Sequence, residues 1–367
     1  MPDSSRSVLL GPLLKSVSRS FYLTLRVLPA GMRDPVGLAY LLARAADTIA
    51  DTSLIAPERR LELVLSLRAE VNRQSDRGQH DPEALTAIAT EVARRQKDSD
   101  EKTLLESLGS ALALLSELPA SDRDAVREIV TTITTGMEFD LRTFPDESSG
   151  RIAALQQFSE LDRYTYMVAG CVGEFWTKMT YAHAPGSFKS GNFTEPPEAI
   201  VQRGIRFGKA LQMTNVLRDC GKDLRIGRCY LPAPMLAQAG LAPEDLLSPE
   251  NSLRARPILF ELVRSALDHY RAAIEYTLAL SAFSIRLRLA CLWPVLIGLE
   301  TLVLLVGNDR WLDPAQSSKI RRNDVYRIMA RSTLLVASNG MLRRWMEELV
   351  AQVEAGMNNV ENGARLA

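Results

Sequence analysis

Asp47 and Asp51, in the segment RAADTIAD, form the sharpest chemical feature of the chain. At 3.6 residues per turn they stand one turn apart on one helix face, with Arg44 just above them and Tyr40 a further turn up. Two ionised carboxylates at this spacing repel each other by about 0.2–0.5 kcal/mol on an exposed helix, and by more when water is excluded. A bridging cation removes that cost. A second segment, QMTNVLRDCGKD, sets Gln212, Asn215, Asp219 and Asp223 at intervals of three, four and four, again a single stripe. Oxygen donors without His or Cys suit a hard cation such as Mg²⁺, which binds through a few carboxylates and the phosphates of a substrate. Two such stripes facing one another across a helical core are expected to hold Mg²⁺ against a diphosphate and to promote its departure. Arg44, Arg218 and Arg228 add positive charge nearby. The plain alternatives are a solvated polar face with Arg44 as an ordinary intrahelical partner, and a helix-end partner or surface charge for Arg228. Apolar residues from Leu38 to Ala50 surround the first pair on several faces, so its carboxylates are expected to be buried.

The elements that must carry these residues are helices. Apolar residues recur at three- and four-residue spacing along almost the whole chain, and alternating β-branched runs are scarce, which predicts an all-α fold. Helices are expected near 35–51, 58–76, 82–96, 101–116, 121–140, 159–181, 197–222, 254–280, 284–306 and 323–352, followed by a polar tail. Prolines and glycines punctuate this scheme, and 184–197 (APGSFKSGNFTEPP) is the best linker candidate. Without a composition shift or a fixed repeat, a single domain over 1–367 is expected. The 367 residues are 46% hydrophobic, enough for a sizeable core. A formal net charge of zero gives no global field to recruit nucleic acid, so anionic ligands must be held locally. Cys171, Cys220, Cys229 and Cys291 lack paired metal-ligand spacing and read as reduced thiols. The N-terminus does not resemble a secretory signal. The long apolar run 289–306, interrupted by Pro294 and Glu300, reads as a buried core helix rather than a membrane span.

Five blocks carry a family resemblance: SRSF at 18–21, YLLARAADTIAD at 40–51, YTYMVAGCVGEFW at 164–176, LQMTNVLRDCGKDLRIGRCYLP at 211–232 and KIRR at 319–322. In order and spacing, over roughly 16–331, they resemble the squalene and phytoene synthases, and SRSF, the DTxxD form of the first motif and the KIR block look more like squalene synthase. The resemblance implies an isoprenoid-synthase helical bundle around a central active-site cavity. It also implies head-to-head condensation of two farnesyl diphosphates through presqualene diphosphate, with Mg²⁺, followed by reduction with NADPH to squalene. In those terms Tyr164 is an acid or base in cyclopropane formation and Tyr40 a site tyrosine. Ser18 and Arg19 reach diphosphate, Phe21 faces the prenyl chain, Val168, Val172 and Trp176 line an apolar channel, and Lys319 and Arg321 contact NADPH phosphate. A buried tyrosine that only donates a core hydrogen bond is the alternative for Tyr164, and a basic surface helix start the alternative for the KIRR pair.

Several positions depart from the family pattern: Thr52 where a further acid is common, Gly221 and Lys222 between the second aspartates, and Ala290 and Val295 in ACLWPV. They leave open a phytoene, dehydrosqualene or presqualene diphosphate synthase without the reductive step. A non-catalytic helical scaffold is disfavoured by the number of retained carboxylates. A cytoplasmic protein without a transmembrane anchor is expected, with peripheral membrane contact for product release left open and oligomeric state unassigned.

Overall fold

The computed structural model describes residues 2–18, 22, 25, 28–73, 82–188 and 196–366. The fold is all-α, as periodicity predicts. Helices are α1 (Pro2–Val8), α2 (Leu14–Ser18), α3 (Ala30–Ala50), α4 (Pro57–Asn72), α5 (Pro82–Ala87), α6 (Ser99–Glu106), α7 (Leu108–Glu117) and α8 (Ala120–Thr143), then α9 (Phe158–Thr165), α10 (Cys171–His183), α11 (Pro197–Asp223), α12 (Ala233–Gln238), α13 (Ser252–Ala279), α14 (Ile285–Val306), α15 (Arg322–Leu335) and α16 (Asn339–Leu366). Among the described residues the strands are two short ones, β1 (Ala153–Ala154) and β2 (Arg228–Cys229), paired in parallel with Ala153 opposite Arg228. By internal packing the chain divides into two compact units, 1–143 with 178–184, and 144–177 with 185–367.

Several expected boundaries shift for local reasons. The helix expected over 159–181 is α9, a π-helical turn (Tyr166–Gly170) and α10 in succession. The 82–96 helix likewise turns π-helical at Ile88–Ala93. The 101–116 helix breaks at Ser107, and the 323–352 helix breaks at 336–338, where the Ser338 hydroxyl accepts from the Met341 amide and starts α16. The expected polar tail is instead helical to Leu366, because Val353 and Met357, one turn apart, are buried and anchor it.

The second unit is assembled around α11, α13 and α14. Tyr270 of α13 is fully buried, its hydroxyl within 2.9 Å of that of Thr214 on α11. Helix α14 is long and apolar enough to cross a membrane, but 61% of its most apolar window is buried inside the protein, and Val295, Leu296, Leu299 and Leu302 have no accessible surface. The four cysteines are free and buried, and burial pushes the Cys229 and Cys291 thiols up to about 12, so both stay protonated at neutral pH.

Candidate active site

In the first unit, the last turns of α3 present Arg44, Asp47 and Asp51 to a cavity of about 290 Å³ completed by Thr48, Arg95, Gln96, Lys97 and Glu101. The expectation of buried carboxylates holds only in part: Asp47 is half-buried, its side chain keeping 41% of its surface accessible, while Asp51, at the helix C-cap, is exposed. The apolar residues of α3 pack its other faces, leaving this stripe open. Arg44 donates to Asp47 Oδ2 at 2.5 Å and, with its other nitrogen, to Glu101. Tyr40 lies apart from the cavity lining and donates to the Val17 carbonyl at 3.2 Å. Burial, then the like charge of Asp51, pushes Asp47 up to about 6 against the pull of Arg44. Arg44, shared with Glu101, thus compensates this carboxylate pair only in part.

Sequence reasoning missed Glu101 and Gln96. Glu101 sits in the first turn of α6, which Asp98 caps by accepting from the amides of Asp100 and Glu101, and Gln96 Nε2 donates to Glu101 at 2.8 Å. The signal was available as a helix N-terminus, DSDE, although nothing local ties it to Arg44. Ser18, at the end of α2, is buried with its hydroxyl donating to the Leu14 carbonyl. Arg19 and Phe21 lie outside the described residues.

In the second unit, α11 carries the second stripe. Asn215 Nδ2 donates to Gln212 Oε1 at 3.4 Å, and Arg218 Nε donates to Asp219 Oδ2 at 3.1 Å, with Lys222 Nζ 3.6 Å from Asp219 Oδ1. Burial opposes ionisation of Asp219, but the Arg218 hydrogen bond and the charges of Arg218, Lys222 and Lys319 outweigh it and hold the carboxyl below its usual value. Lys319 lies within hydrogen-bond reach of Lys222, whose charge lowers it. Arg321 is exposed at the N-cap of α15. Asp223, half-buried, closes the stripe, and Arg228 Nη2 lies 3.7 Å from Glu147 Oε1.

Gly221 explains how Lys319 reaches this place. A Cβ there would stand 2.2 Å from the Leu312 carbonyl oxygen, so only glycine lets the segment after α14 lie directly on α11. Trp311 locks that segment by donating to the Ser252 carbonyl at 2.9 Å, while the Leu312 amide donates to the Ser252 hydroxyl.

Tyr164 lies in the last turn of α9, whose start is fixed by a capping box between Gln157 and Glu160. Its ring stacks on Tyr230 with centroids 4.7 Å apart, and its hydroxyl donates to the Tyr230 hydroxyl at 3.2 Å. Tyr230, just past β2, was not singled out from the sequence. The π-helical turn carrying Val168 follows Tyr164, and π-turns interrupt α-helices most often at functional sites. Val172 is exposed, and Trp176 lies beside the Cys291 thiol. Here the helix meets α11 backbone to backbone: a Cβ on Gly173 would stand 1.8 Å from the Gly204 carbonyl oxygen, and one on Gly208 2.0 Å from that of Ala169.

The family model for squalene/phytoene synthase matches residues 14–324. The chain belongs to the squalene/phytoene synthase family. Within that family it is 26% identical to the squalene synthase of Eremothecium gossypii over 87% of this chain and 66% of the relative. It is 28% identical to the bifunctional lycopene cyclase/phytoene synthase of Colletotrichum graminicola over 71% of this chain and 40% of the relative. The chain thus spans less than two thirds of the length of these two relatives. Human squalene synthase is 25% identical over 93% of this chain and 73% of its own length. Two solved structures share the fold: a TcSQS complex with the ligand E5700, TM-score 0.72 at 21% identity, covering 98% of this chain and 99% of that one, and a ligand complex of a dehydrosqualene synthase, TM-score 0.62 at 20% identity, covering 92% and 100%.

Both stripes fit a hard cation in donor chemistry. Among the described residues no three His, Cys, Asp or Glu side chains gather closely enough to hold a metal alone. Magnesium needs only one or two carboxylates when substrate phosphates complete its shell, and the under-compensated Asp47–Asp51 pair meets that requirement.

Proposed function

We propose that this protein is a Mg²⁺-dependent prenyltransferase that condenses two farnesyl diphosphates head to head to presqualene diphosphate and, with NADPH, reduces that product to squalene. One observation carries the reading: Asp219 stands among Arg218, Lys222 and Lys319, a carboxylate set within a cluster of cations, as a site for a metal-bound diphosphate requires. Bound Mg²⁺ neutralises charge as the diphosphate leaves, and NADPH supplies hydride.

The chain's own residues do the rest. Asp47, Asp51, Asn215, Asp219 and Asp223 are the proposed metal-binding groups, and Ser18, Arg19, Arg44, Gln212, Arg218 and Arg228 hold diphosphate oxygens. Lys222, which the family pattern does not call for, adds a cation at the same place. Tyr164, with Tyr230 as its hydroxyl partner, takes the proton lost as the cyclopropane closes, while Tyr40 supports the first stripe. Phe21, Val168 and Val172 exclude water from the prenyl chains, which protects carbocations from capture. Lys319 and Arg321 are the proposed NADPH phosphate contacts.

The test is incubation with farnesyl diphosphate, Mg²⁺ and NADPH, with product identification. Squalene is the expected product, and a hydrocarbon that forms equally well without NADPH overturns the reductive half. That second outcome is the reading favoured by Ala290 and Val295, both buried in α14, and by the phytoene synthase relatives.

A further inference from the structure

Behind Tyr164 the helix carries a polar cluster that takes no part in the chemistry assigned to the site. Lys209 of α11 donates from Nζ to Asp162 Oδ1 at 2.7 Å, and the Tyr166 hydroxyl donates to Glu174 Oε2 at 2.8 Å. The two bonds meet at Gly170. A Cβ there would stand 3.1 Å from Cδ2 of Tyr166 and 3.3 Å from Cγ of Lys209, so the phenol ring and the lysine stem both fold over the place a side chain would fill. Asp162 precedes Tyr164 by two residues and Tyr166 follows it by two. At about 100° per residue, both stand on the side of the helix away from Tyr164.

A half-exposed ion pair such as Asp162–Lys209 contributes little to stability, and its value lies in geometry. A π-turn holds one residue more than the α-helix it interrupts, and here it occupies Tyr166–Gly170, directly after α9. The ends of the segment are fixed, one by the capping box of Gln157 and Glu160, the other by the main-chain contacts of Ala169 and Gly173 with α11. Fixed ends set how many residues the segment holds, but not where the extra one falls. Were it to move to the N-terminal side of Tyr164, the phenol would turn by about 100° and leave the Tyr230 ring on which it stacks. The Asp162–Lys209 bond ties the residues before Tyr164 to α11. The Tyr166–Glu174 bond spans the π-turn from its first residue to the first turn of α10, and a phenol donating to a carboxylate makes a charge-assisted hydrogen bond.

We propose that Asp162, Lys209, Tyr166 and Glu174 are positioning residues: they hold the extra residue within Tyr166–Gly170 and so keep the Tyr164 hydroxyl at Tyr230 while it takes its proton. They act through Tyr164 and not on the substrate. The inference rests on the role given to Tyr164 above.

The experiment is a double-mutant cycle on the full chain, read by single-turnover conversion of farnesyl diphosphate to the cyclopropyl diphosphate. Tyr166→Phe/Lys209→Met should slow that step roughly tenfold to a hundredfold, the range of a displaced catalytic group, with KM for farnesyl diphosphate and Mn²⁺ affinity unchanged. Glu174→Gln, which still accepts the phenol proton, should react nearly as fast as wild type, whereas Glu174→Leu should be slowed. In a Tyr164→Phe background the Tyr166→Phe/Lys209→Met pair should have no further effect, because no hydroxyl is left to position. A wild-type rate in the pair variant overturns the proposal, as does a loss that multiplies that of Tyr164→Phe, or one accompanied by weaker substrate or Mn²⁺ binding. A wild-type rate in Tyr164→Phe itself overturns the role of Tyr164, and the proposal with it.

Discussion

The two aspartate stripes look alike as sequence and are unlike as electrostatics. Around Asp47 and Asp51 the arginine that bonds Asp47, Arg44, is shared with a third acid, Glu101, and Asp47 is pushed up to about 6 by burial and by Asp51. Around Asp219 burial also opposes ionisation, yet Arg218, Lys222 and Lys319 reverse the balance. At the first stripe the nearby cations leave the Asp47 carboxyl raised, whereas at the second they hold that of Asp219 lowered. The same i, i+4 spacing can therefore serve a site that depends on an added cation and a site already prepared for an anion.

The largest effect that would break this comparison is on turnover. Asp219→Asn and Asp47→Asn should each lower farnesyl diphosphate consumption by at least ~100-fold with the fold intact, the scale of losing a charge-stabilising group in a reaction that expels an anion. If Asp219→Asn keeps near-normal turnover by single-turnover product analysis, its place in the site is wrong. Next in size is Gly221→Ala, which drives a methyl into the Leu312 carbonyl. It should cost about 1–3 kcal/mol in denaturant unfolding and loosen Lys319 from Asp219, so activity should fall by more than stability alone explains.

The smallest effect sharpens the contrast most directly. Asp47 binds its proton more tightly folded than unfolded, so its contribution to stability is complete below about pH 4, the ordinary carboxylate value, and is lost as pH rises through about 6. Asp219 has the opposite sign: its contribution is present above the ordinary value and lost as pH falls through its depressed one. Metal-free Asp47→Asn should therefore melt slightly higher than wild type at pH 7.5, and Asp219→Asn slightly lower. Mn²⁺ affinity at the first stripe, read by electron paramagnetic resonance, should weaken as pH drops below about 6. Melting shifts of the same sign in both variants would remove the distinction.

Much of this molecule was legible in the sequence because its main signals are periodic. The all-α class, the helix carrying Asp47 and Asp51, and the one carrying Asn215 to Asp223 all follow from spacing of 3.6 residues per turn. What escaped was set by contacts between distant segments. Glu101 meets Arg44 across 57 residues, and Tyr230 meets Tyr164 across 66, distances over which no local pattern extends. Gly221 read as a departure from a family motif, whereas it is a seat for the Leu312 carbonyl. The exposure of Asp51 was misjudged because apolar neighbours on several faces do not say whether the remaining face meets protein or a cavity.

The glycine crossing near Ala169 and Gly173 also limits how the protein can change. Helices already touching through their main chains cannot draw closer, and any larger residue there must force them apart, carrying the Tyr164 and Asp219 supports with them. Variation that accommodates shorter or longer hydrocarbon tails must therefore arise at side chains away from this crossing, which acts as a fixed hinge pin for the second unit.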